Sequence, residues 1–405
     1  MKIAFFSWEY PPFLVGGLGV YSQNLTKRFV DKGNEVSVFT INFGSREFEE
    51  VDNIKIYRFS LPETSKSISI FANQDILSWG ENIKLFSDIY SYNLLSAKKF
   101  LEIHEKEKFD VVAVHDWLSA FSGLILKKER IPVVFHLHSV EEVRSSPGSD
   151  TLKKLEREMA SEADKVVTVS ESMRDFVSMI GYEKEKISVC YNGTDPEIMN
   201  PKKVDFELVE RLKSEYGINE EKVVFFIGRL VWFKGIYNLV KAFQLVLKEF
   251  PRTKLLMVGI GDNENLKNFV RSLGLEESVI IVNRWLNDKE KVSHFALADV
   301  CVFPSINEPF GIVASEAMAM EKPVVVGASG VSGLKEQVVP SGEKRTGVHV
   351  NGNIPEDIAW GIKEVLSNQQ QAKKWGKNGR KLVLEKFNFD LTAEKTLSIY
   401  ESLVK

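Results

Sequence analysis

Cysteine is almost absent from this sequence: two thiols in 405 residues, Cys190 in ISVCYNG and Cys301 in DVCVFPS. Two lone cysteines build no disulfide framework. Each sits in an apolar run suited to a strand, so both are expected to be buried, reduced and structural. An excess of charge of one sign is also missing. With 53 Lys and Arg against 56 Asp and Glu, the formal net charge is −3, which gives no electrostatic reason to expect nucleic acid as a partner. No segment reaches the roughly 18 apolar residues of a membrane span. The opening stretch MKIAFFSWEYPP runs into Glu9 and two prolines too soon for a signal segment and reads as a first strand, so a cytoplasmic protein is expected. No C-x-x-C or H-E-x-x-H spacing occurs, and no metal site is expected. Low-complexity tracts and short repeats are lacking as well.

What remains is ordinary globular material, 44% hydrophobic and 27% charged. At 405 residues the chain exceeds the size at which one core keeps growing, so two domains are expected. In the first half, strand-like runs (KIAFFSW, EVSVFTI, NIKIYRF, FDVVAVH, PVVFHLH, KVVTVS, KISVCYN) alternate with helical patterns over 21–31, 81–107, 118–128, 150–162 and 171–180. The alternation restarts with KVVFFIG, KLLMVGIG, SVIIVNRW, DVCVFPS, KPVVVGA and TGVHVNG, with helical patterns over 238–249, 263–273, 289–297 and 311–320. Near-continuous apolar strands imply parallel sheets covered on both faces. The reading is two α/β domains, 1–195 and 196–386, with 195–205 as the linker, and a last amphipathic helix within 387–405.

Ligands of open parallel sheets bind beyond the carboxyl ends of the strands, so motifs there carry the functional argument. After the first strand stand Gly16, Gly17 and Gly19, followed by a helix. Glycines at such a junction allow close backbone approach and leave N–H groups free for an anion; a tight turn without a ligand is the plain alternative. A dinucleotide fingerprint is not met. Ser22 replaces its third glycine, and Thr40-Ile41-Asn42 stand where an acidic residue would hold the ribose.

Two neighbouring strands end in polar groups: DVVAVHDW brings His115 and Asp116, and VVFHLH brings His136 and His138. His138, nearer the strand end, is the better site residue, and His136 the better structural hydrogen-bonder. In the second domain, Arg229 and Lys234 lie in a strand-to-helix loop between Gly228 and Gly235. Arg can clamp a phosphate bidentately and Lys adds a point charge, although solvated charges at a helix start are the alternative. Farther on, EPFGIVASE places Glu308 before a Pro–Gly turn and Glu316 within the next helix. Gly311 lets the amides of Phe310, Gly311, Ile312 and Val313 approach a ligand at a helix N-terminus. Glu308 is suited to sugar hydroxyls and Glu316 to a vicinal diol such as a ribose.

Taken together, Arg229 with Lys234, EPFGIVASE, WEYPP…GGLG, HDW and VVFHLH resemble, in order and along essentially the whole chain, the retaining glycosyltransferases of family 4 (group 1) and the related glycogen and starch synthases. The resemblance implies the GT-B fold, two Rossmann-like doubly wound domains facing across a cleft, with the final helix crossing back to the first domain. It implies a hexosyltransferase that moves a hexose, glucose foremost, from a UDP- or ADP-linked donor to a carbohydrate acceptor. Retention of configuration is implied, with no cofactor beyond the nucleotide sugar and no obligatory metal. Arg229 and Lys234 would hold the diphosphate and Glu308 the donor sugar. Glu316 would hold the ribose, His138 the C6 hydroxyl of the sugar, and Gly16 and Gly17 the phosphates, while Asp116 would lie by the acceptor. HSVEEVRSSPGSDTLKKLEREMASEADKVVTVSESM resembles the matching stretch of archaeal and bacterial family 4 enzymes and makes Glu141 and Arg144 acceptor contacts, with a solvated charged loop an equal alternative.

One position departs from the pattern. Leu14 stands where bacterial glycogen synthases carry a lysine before their glycine pair, which argues against an ordinary ADP-glucose glycogen synthase. A lipid-linked or small-molecule acceptor, with peripheral membrane contact, and a GT-B nucleotide-sugar epimerase are the alternatives. A non-catalytic glycan-binding protein ranks below them because the donor residues are retained. No strongly basic amphipathic helix is seen in the first domain, which favours a soluble acceptor.

Overall fold

A computed structural model describes residues 1–14, 16–145 and 147–404. The chain divides into two compact units, Met1–Tyr191 with Phe389–Lys405, and Asn192–Asn388. It therefore passes between units twice, at 191–192 and at 388–389. The stretch 195–205 lies inside the second unit, where the Arg380 guanidinium donates to the Met199 and Ala319 carbonyls at 3.1 and 2.5 Å.

Unit 1 begins with β1 (Lys2–Phe6), α1 (Gly17–Asp31), β2 (Glu35–Ile41), β3 (Phe48–Val51) and β4 (Ile54–Phe59). Next come α2 (Ser65–Phe71), α3 (Gln74–Leu77), α4 (Ile83–Glu107), β5 (Val111–His115) and α5 (Asp116–Leu126). The unit continues with β6 (Val133–Leu137), α6 (Glu141–Arg144), α7 (Asp150–Glu162), β7 (Lys165–Thr168), α8 (Glu171–Met179) and β8 (Ile187–Val189). Its sheet runs β3-β4-β2-β1-β5-β6-β7-β8. All neighbours are parallel except β3, which pairs antiparallel with β4. The sequence reading did not include β3: FEEV is an exposed, charged edge strand with no apolar face to betray it.

Unit 2 contains α9 (Phe206–Tyr216), β9 (Lys222–Ile227), α10 (Ile236–Leu247), β10 (Thr253–Val258) and α11 (Asn263–Ser272). They are followed by β11 (Val279–Val282), α12 (Asp288–Leu297), β12 (Val300–Phe303), α13 (Ile312–Ala319) and β13 (Val324–Gly327). The unit ends with α14 (Leu334–Gln337), β14 (Gly347–Val350), α15 (Pro355–Ser367) and α16 (Gln369–Lys386). Its sheet is wholly parallel, in the order β11-β10-β9-β12-β13-β14.

Alternation along β9 explains the layering. Val224 and Phe226 enter the core shared with α10, α11 and α15, while Val223, Phe225 and Ile227 enter the one shared with α9, α12 and α13. Both faces are thus covered, which is why KVVFFI reads as one apolar run. Both cysteines are buried and free, and burial pushes the Cys190 and Cys301 thiols up to about 11 and about 12.

The last helix, α17 (Phe389–Glu401), belongs to unit 1. Arg28 on α1 donates to Asp390 at 3.0 Å, and Lys32 pairs with Glu394 at 2.8 Å. Deeper in, Tyr400 lies edge-on to Phe29, and its hydroxyl meets His136 Nε2 at 2.7 Å. Tyr400→Phe would leave that buried ring nitrogen unpaired, a cost of about 1–3 kcal/mol. Denaturant titration should show unit 1 destabilised by this amount; an unchanged midpoint would mean the bond contributes nothing.

Candidate functional site

In unit 1 the strands β1 and β5 lie side by side, with Phe6 opposite Val114. Their crossovers leave in opposite directions, so the loops beyond Phe6 and His115 meet at the switch point of the sheet, the place where ligands of open parallel sheets bind. The next strand pairs His115 with His136 in register. His115 Nδ1 bonds the Phe6 carbonyl at 2.8 Å, and the His115 and His136 rings stack at 4.7 Å. His136 is satisfied on both sides, by Tyr21 and Tyr400.

Asp116, the first residue of α5, takes the left-handed conformation at φ 53°, which aspartate tolerates better than most residues. Its carboxylate accepts from the amides of His138 and Ser139 at 2.7 and 3.3 Å, fastening the end of β5 to the end of β6. Burial is the main cause that raises its pKa to about 6, against the nearby Arg144 guanidinium. Burial likewise drives His138 down to about 3, and His115 and His136 well below the usual imidazole range. All three rings are therefore neutral at pH 7. His138 packs edge-on to Tyr21 at 4.4 Å, and its Nε2 and that of His115 are buried with no hydrogen-bond partner among the described residues.

Glu141 and Arg144 sit neither in a solvated loop nor free. Arg144 pairs with Glu141 at 3.2 Å and with Glu156 on α7 at 2.5 Å, while Glu156 accepts from the Glu141 amide at 2.8 Å. Glu156 is fully buried, and desolvation raises its pKa to about 7. Tyr21 and Glu156 escaped the sequence reading because each looks there like one more helix-face residue.

At the start of α1 the amides of Gly16 and Gly19 donate to the Glu9 carboxylate at 2.9 and 3.2 Å. The N–H groups expected to stand free are thus partly taken by an anion from the chain itself. The helix start has no side-chain cap from Gly16, and Glu9 fills that role. Gly19 leaves room for this contact: a Cβ there would lie 2.6 Å from Leu14 Cδ2 and 3.0 Å from Glu9 Oε2, so both side chains would have to shift.

In unit 2 the switch point falls between β9 and β12, where Cys301 lies opposite Phe225. The loop after β9 holds Arg229 and Lys234, and the loop after β12 holds Ser305 and Glu308. Gly235, at φ 74°, lets them touch; a Cβ there would fall 2.1 Å from the Pro304 carbonyl oxygen. The Ile306 amide donates to the Phe233 carbonyl at 2.9 Å. This contact brings Lys234 into a short ion pair with Glu308, to which Ser305 also donates at 3.3 Å. Main-chain bonds at 2.9 and 2.8 Å to Val331 and Gly333 fix the Glu308 backbone. Arg229 is exposed, its guanidinium 5.5 Å above the Phe233 ring, and has no ion pair among the described residues.

Gly311, at φ 88°, turns the chain into α13; a Cβ there would lie 2.5 Å from Leu334 Cδ2 and 3.0 Å from Glu308 Cγ. Gly311 offers no side chain to cap α13, no acidic residue occupies its first turn, and no side chain among the described residues is seen to accept from its first amides, so those of Ile312 and Val313 keep the positive end of the helix. Phe310 is buried against Phe387, 6.0 Å between ring centres. Glu316, one turn in, pairs with Lys291 of α12 at 2.5 Å, a partner the sequence reading did not single out. Two cations, an uncapped helix start and two placed carboxylates suit a diphosphate carrying hydroxylated groups at either end. Among the described residues no group of three or more His, Cys, Asp or Glu could hold a metal ion, and no helix is long and apolar enough to cross a membrane.

Residues 209–382 match the family described as "Glycosyl transferases group 1", and residues 15–198 match "Glycosyltransferase Family 4". An uncharacterized glycosyltransferase of Methanocaldococcus jannaschii is 33% identical over 413 residues, covering 99% of this chain and 98% of its own. A D-inositol 3-phosphate glycosyltransferase of Corynebacterium glutamicum is 27% identical over 409 residues, 96% of this chain and 92% of its own. In fold, the chain is similar to the sucrose-phosphate synthase of Thermosynechococcus elongatus, with a TM-score of 0.80 at 23% identity over 99% of this chain and 98% of that one.

The raised pKa of Asp116 has a sign that can be checked. Its folded value, about 6, lies above its unfolded value, so the ionised form opposes folding above pH 6, and this cost vanishes below about pH 4. Asp116→Asn keeps an oxygen for the His138 and Ser139 amides. It should stabilise unit 1 at pH 8 by about 1–3 kcal/mol, with the gain shrinking to nothing between pH 6 and pH 4. Melting curves across this range test it; a loss of stability at pH 8 would contradict the assignment.

Proposed function

The chain belongs to the group 1 glycosyltransferases and has the GT-B fold, and on that premise we propose that it transfers a hexose, glucose foremost, from a UDP- or ADP-linked donor to a neutral carbohydrate acceptor with retention of configuration. The observation that carries this reading is the switch point of unit 2, where Lys234 is held on Glu308 beside Arg229, which has no ion pair among the described residues, and the glycine start of α13. In the transfer the bond from the sugar C1 to the β-phosphate oxygen breaks, and negative charge grows on the departing diphosphate. Lys234, Arg229 and the first amides of α13 answer that charge, so no divalent cation is required. The acceptor oxygen bonds to C1 on the face the phosphate leaves, and its proton passes to a phosphate oxygen. Glu308, tied to Lys234 and Ser305, contacts the sugar hydroxyls. Glu316 takes the ribose.

On unit 1 the proposed roles are His138 for the C6 hydroxyl of the sugar and Asp116 for the acceptor. The charges there favour a neutral acceptor over a phosphorylated one. Three imidazoles are neutral, and one guanidinium, Arg144, faces the carboxylates of Asp116, Glu141 and Glu156. Gly16 and Gly17 are assigned to the donor phosphates only on condition that Glu9 yields the Gly16 amide. Leu14, packed on Gly19 where a glycogen synthase would carry a cation, speaks against an ordinary ADP-glucose glycogen synthase.

Transfer from UDP-glucose and ADP-glucose to glucose, inositol, maltooligosaccharides, their phosphorylated counterparts and a lipid acceptor, with EDTA present, tests the proposal. Neutral acceptors should be preferred and EDTA should have no effect. Lys234→Ala and Glu308→Ala should each lower the rate by about 100-fold or more. Rates unchanged in both variants would remove the site assignment, and product formed from the donor alone would favour an epimerase.

A further inference from the structure

Lys291 occupies a place that its own helix does not explain. It lies in the first turns of α12, at the positive end of the helix dipole, where a cation is disfavoured. The start of the helix is already closed by a capping box between Asn287 and Glu290. Lys291 instead reaches Glu316 on α13, the two side chains 13% and 5% exposed, with Nζ to Oε1 at 2.5 Å. The second carboxylate oxygen, Oε2, is buried and has no hydrogen-bond partner among the described residues. Around the pair the packing is apolar: Val292 and Phe295 of α12 share a core with Ala314 and Ala317 of α13. Two apolar side chains would join these helices at least as well, because a buried ion pair seldom recovers its desolvation cost. An ion pair that leaves one oxygen unsatisfied is an arrangement in wait of a donor from outside the chain.

We propose that Lys291 is a positioning residue that fixes Glu316 for the 2′,3′-diol of a nucleoside diphosphate. The proposal rests on the reading of unit 2 as the nucleotide-sugar site. By holding Oε1, the ammonium stops rotation of the carboxylate and leaves Oε2 as the acceptor for the ribose hydroxyls. Without the ammonium, two orphaned oxygens and several rotamers compete, and the diol meets a carboxylate that is no longer aimed. A purely structural Lys291 would affect folding and all nucleotides alike; a positioning one acts on the diol alone.

Calorimetric titration of UDP, ADP and their 2′-deoxy counterparts separates the two. The wild-type protein should prefer the ribonucleotide by about tenfold, the worth of one charge-assisted hydrogen bond. Lys291→Met should weaken the ribonucleotide by a similar factor and leave the deoxy form unchanged, erasing the preference, while Lys291→Arg should restore most of it. Equal weakening of both nucleotides, or none, would overturn the proposal. Glu316→Gln should erase the preference too. If it does and Lys291→Met does not, only the role of Lys291 falls. If Glu316→Gln leaves the preference intact, or the wild type binds no nucleotide, the ribose reading fails and takes the proposal with it. Should Lys291→Met not fold, Lys291→Gln gives the same comparison.

Discussion

In both sheets the chain begins in the middle, builds outward to one edge and then returns to build the other. Parallel strands need crossovers, and crossovers of one hand place the helices after β1 and β5, or after β9 and β12, on opposite faces. Two neighbouring strands thus end at a point from which their helices diverge, and the loops there have no helix above them. The chemistry-bearing residues of each unit gather at that point: Gly16, His115 and Asp116 in unit 1, and Arg229, Lys234 and Glu308 in unit 2. Close approach of the loops then asks for glycine, because a Cβ at Gly235 would strike the Pro304 carbonyl and one at Gly311 would strike Leu334.

The two switch points differ in how their charges stand. In unit 2 each glutamate is matched by a lysine, Glu308 by Lys234 and Glu316 by Lys291, and Arg229 stands without an ion pair among the described residues. The balance is positive, and α13 adds the amides of its first turn. In unit 1 burial keeps His115, His136 and His138 neutral, and the single Arg144 sits among three carboxylates. Both arrangements hold charge where apolar packing would be more stable. Asp116 illustrates the trade: its strained φ and its raised pKa both work against folding, and the site keeps it.

Much of this was legible in the sequence because it rests on period and punctuation. The near-continuous apolar strands point to the parallel sheets, the glycines mark the strand-to-helix junctions at which Lys234 and Glu308 fall, and the polar end of DVVAVHDW marks Asp116. Pairings between distant segments were not legible. Nothing in LKKLEREMA separates Glu156, which Arg144 holds, from Glu158 on the same helix. Glu9 reads as one acidic residue before two prolines, yet it caps α1. The domain boundary shifted for the same reason. Pro196 and Pro201 in 195–205 look like a linker, but Arg380, some 180 residues later, bonds this stretch into unit 2. Tertiary hydrogen bonds decided these cases, and they leave no local pattern.

In the proposed transfer, diphosphate departure is answered by protein cations and helix amides while the acceptor enters on the same face. Proton NMR of the product made from an α-linked nucleotide glucose in the presence of EDTA tests it most directly. An α-configured anomeric centre, formed at an undiminished rate without divalent metal, is the predicted result. A β-configured product, or a reaction that stops until a divalent cation is added, would contradict it.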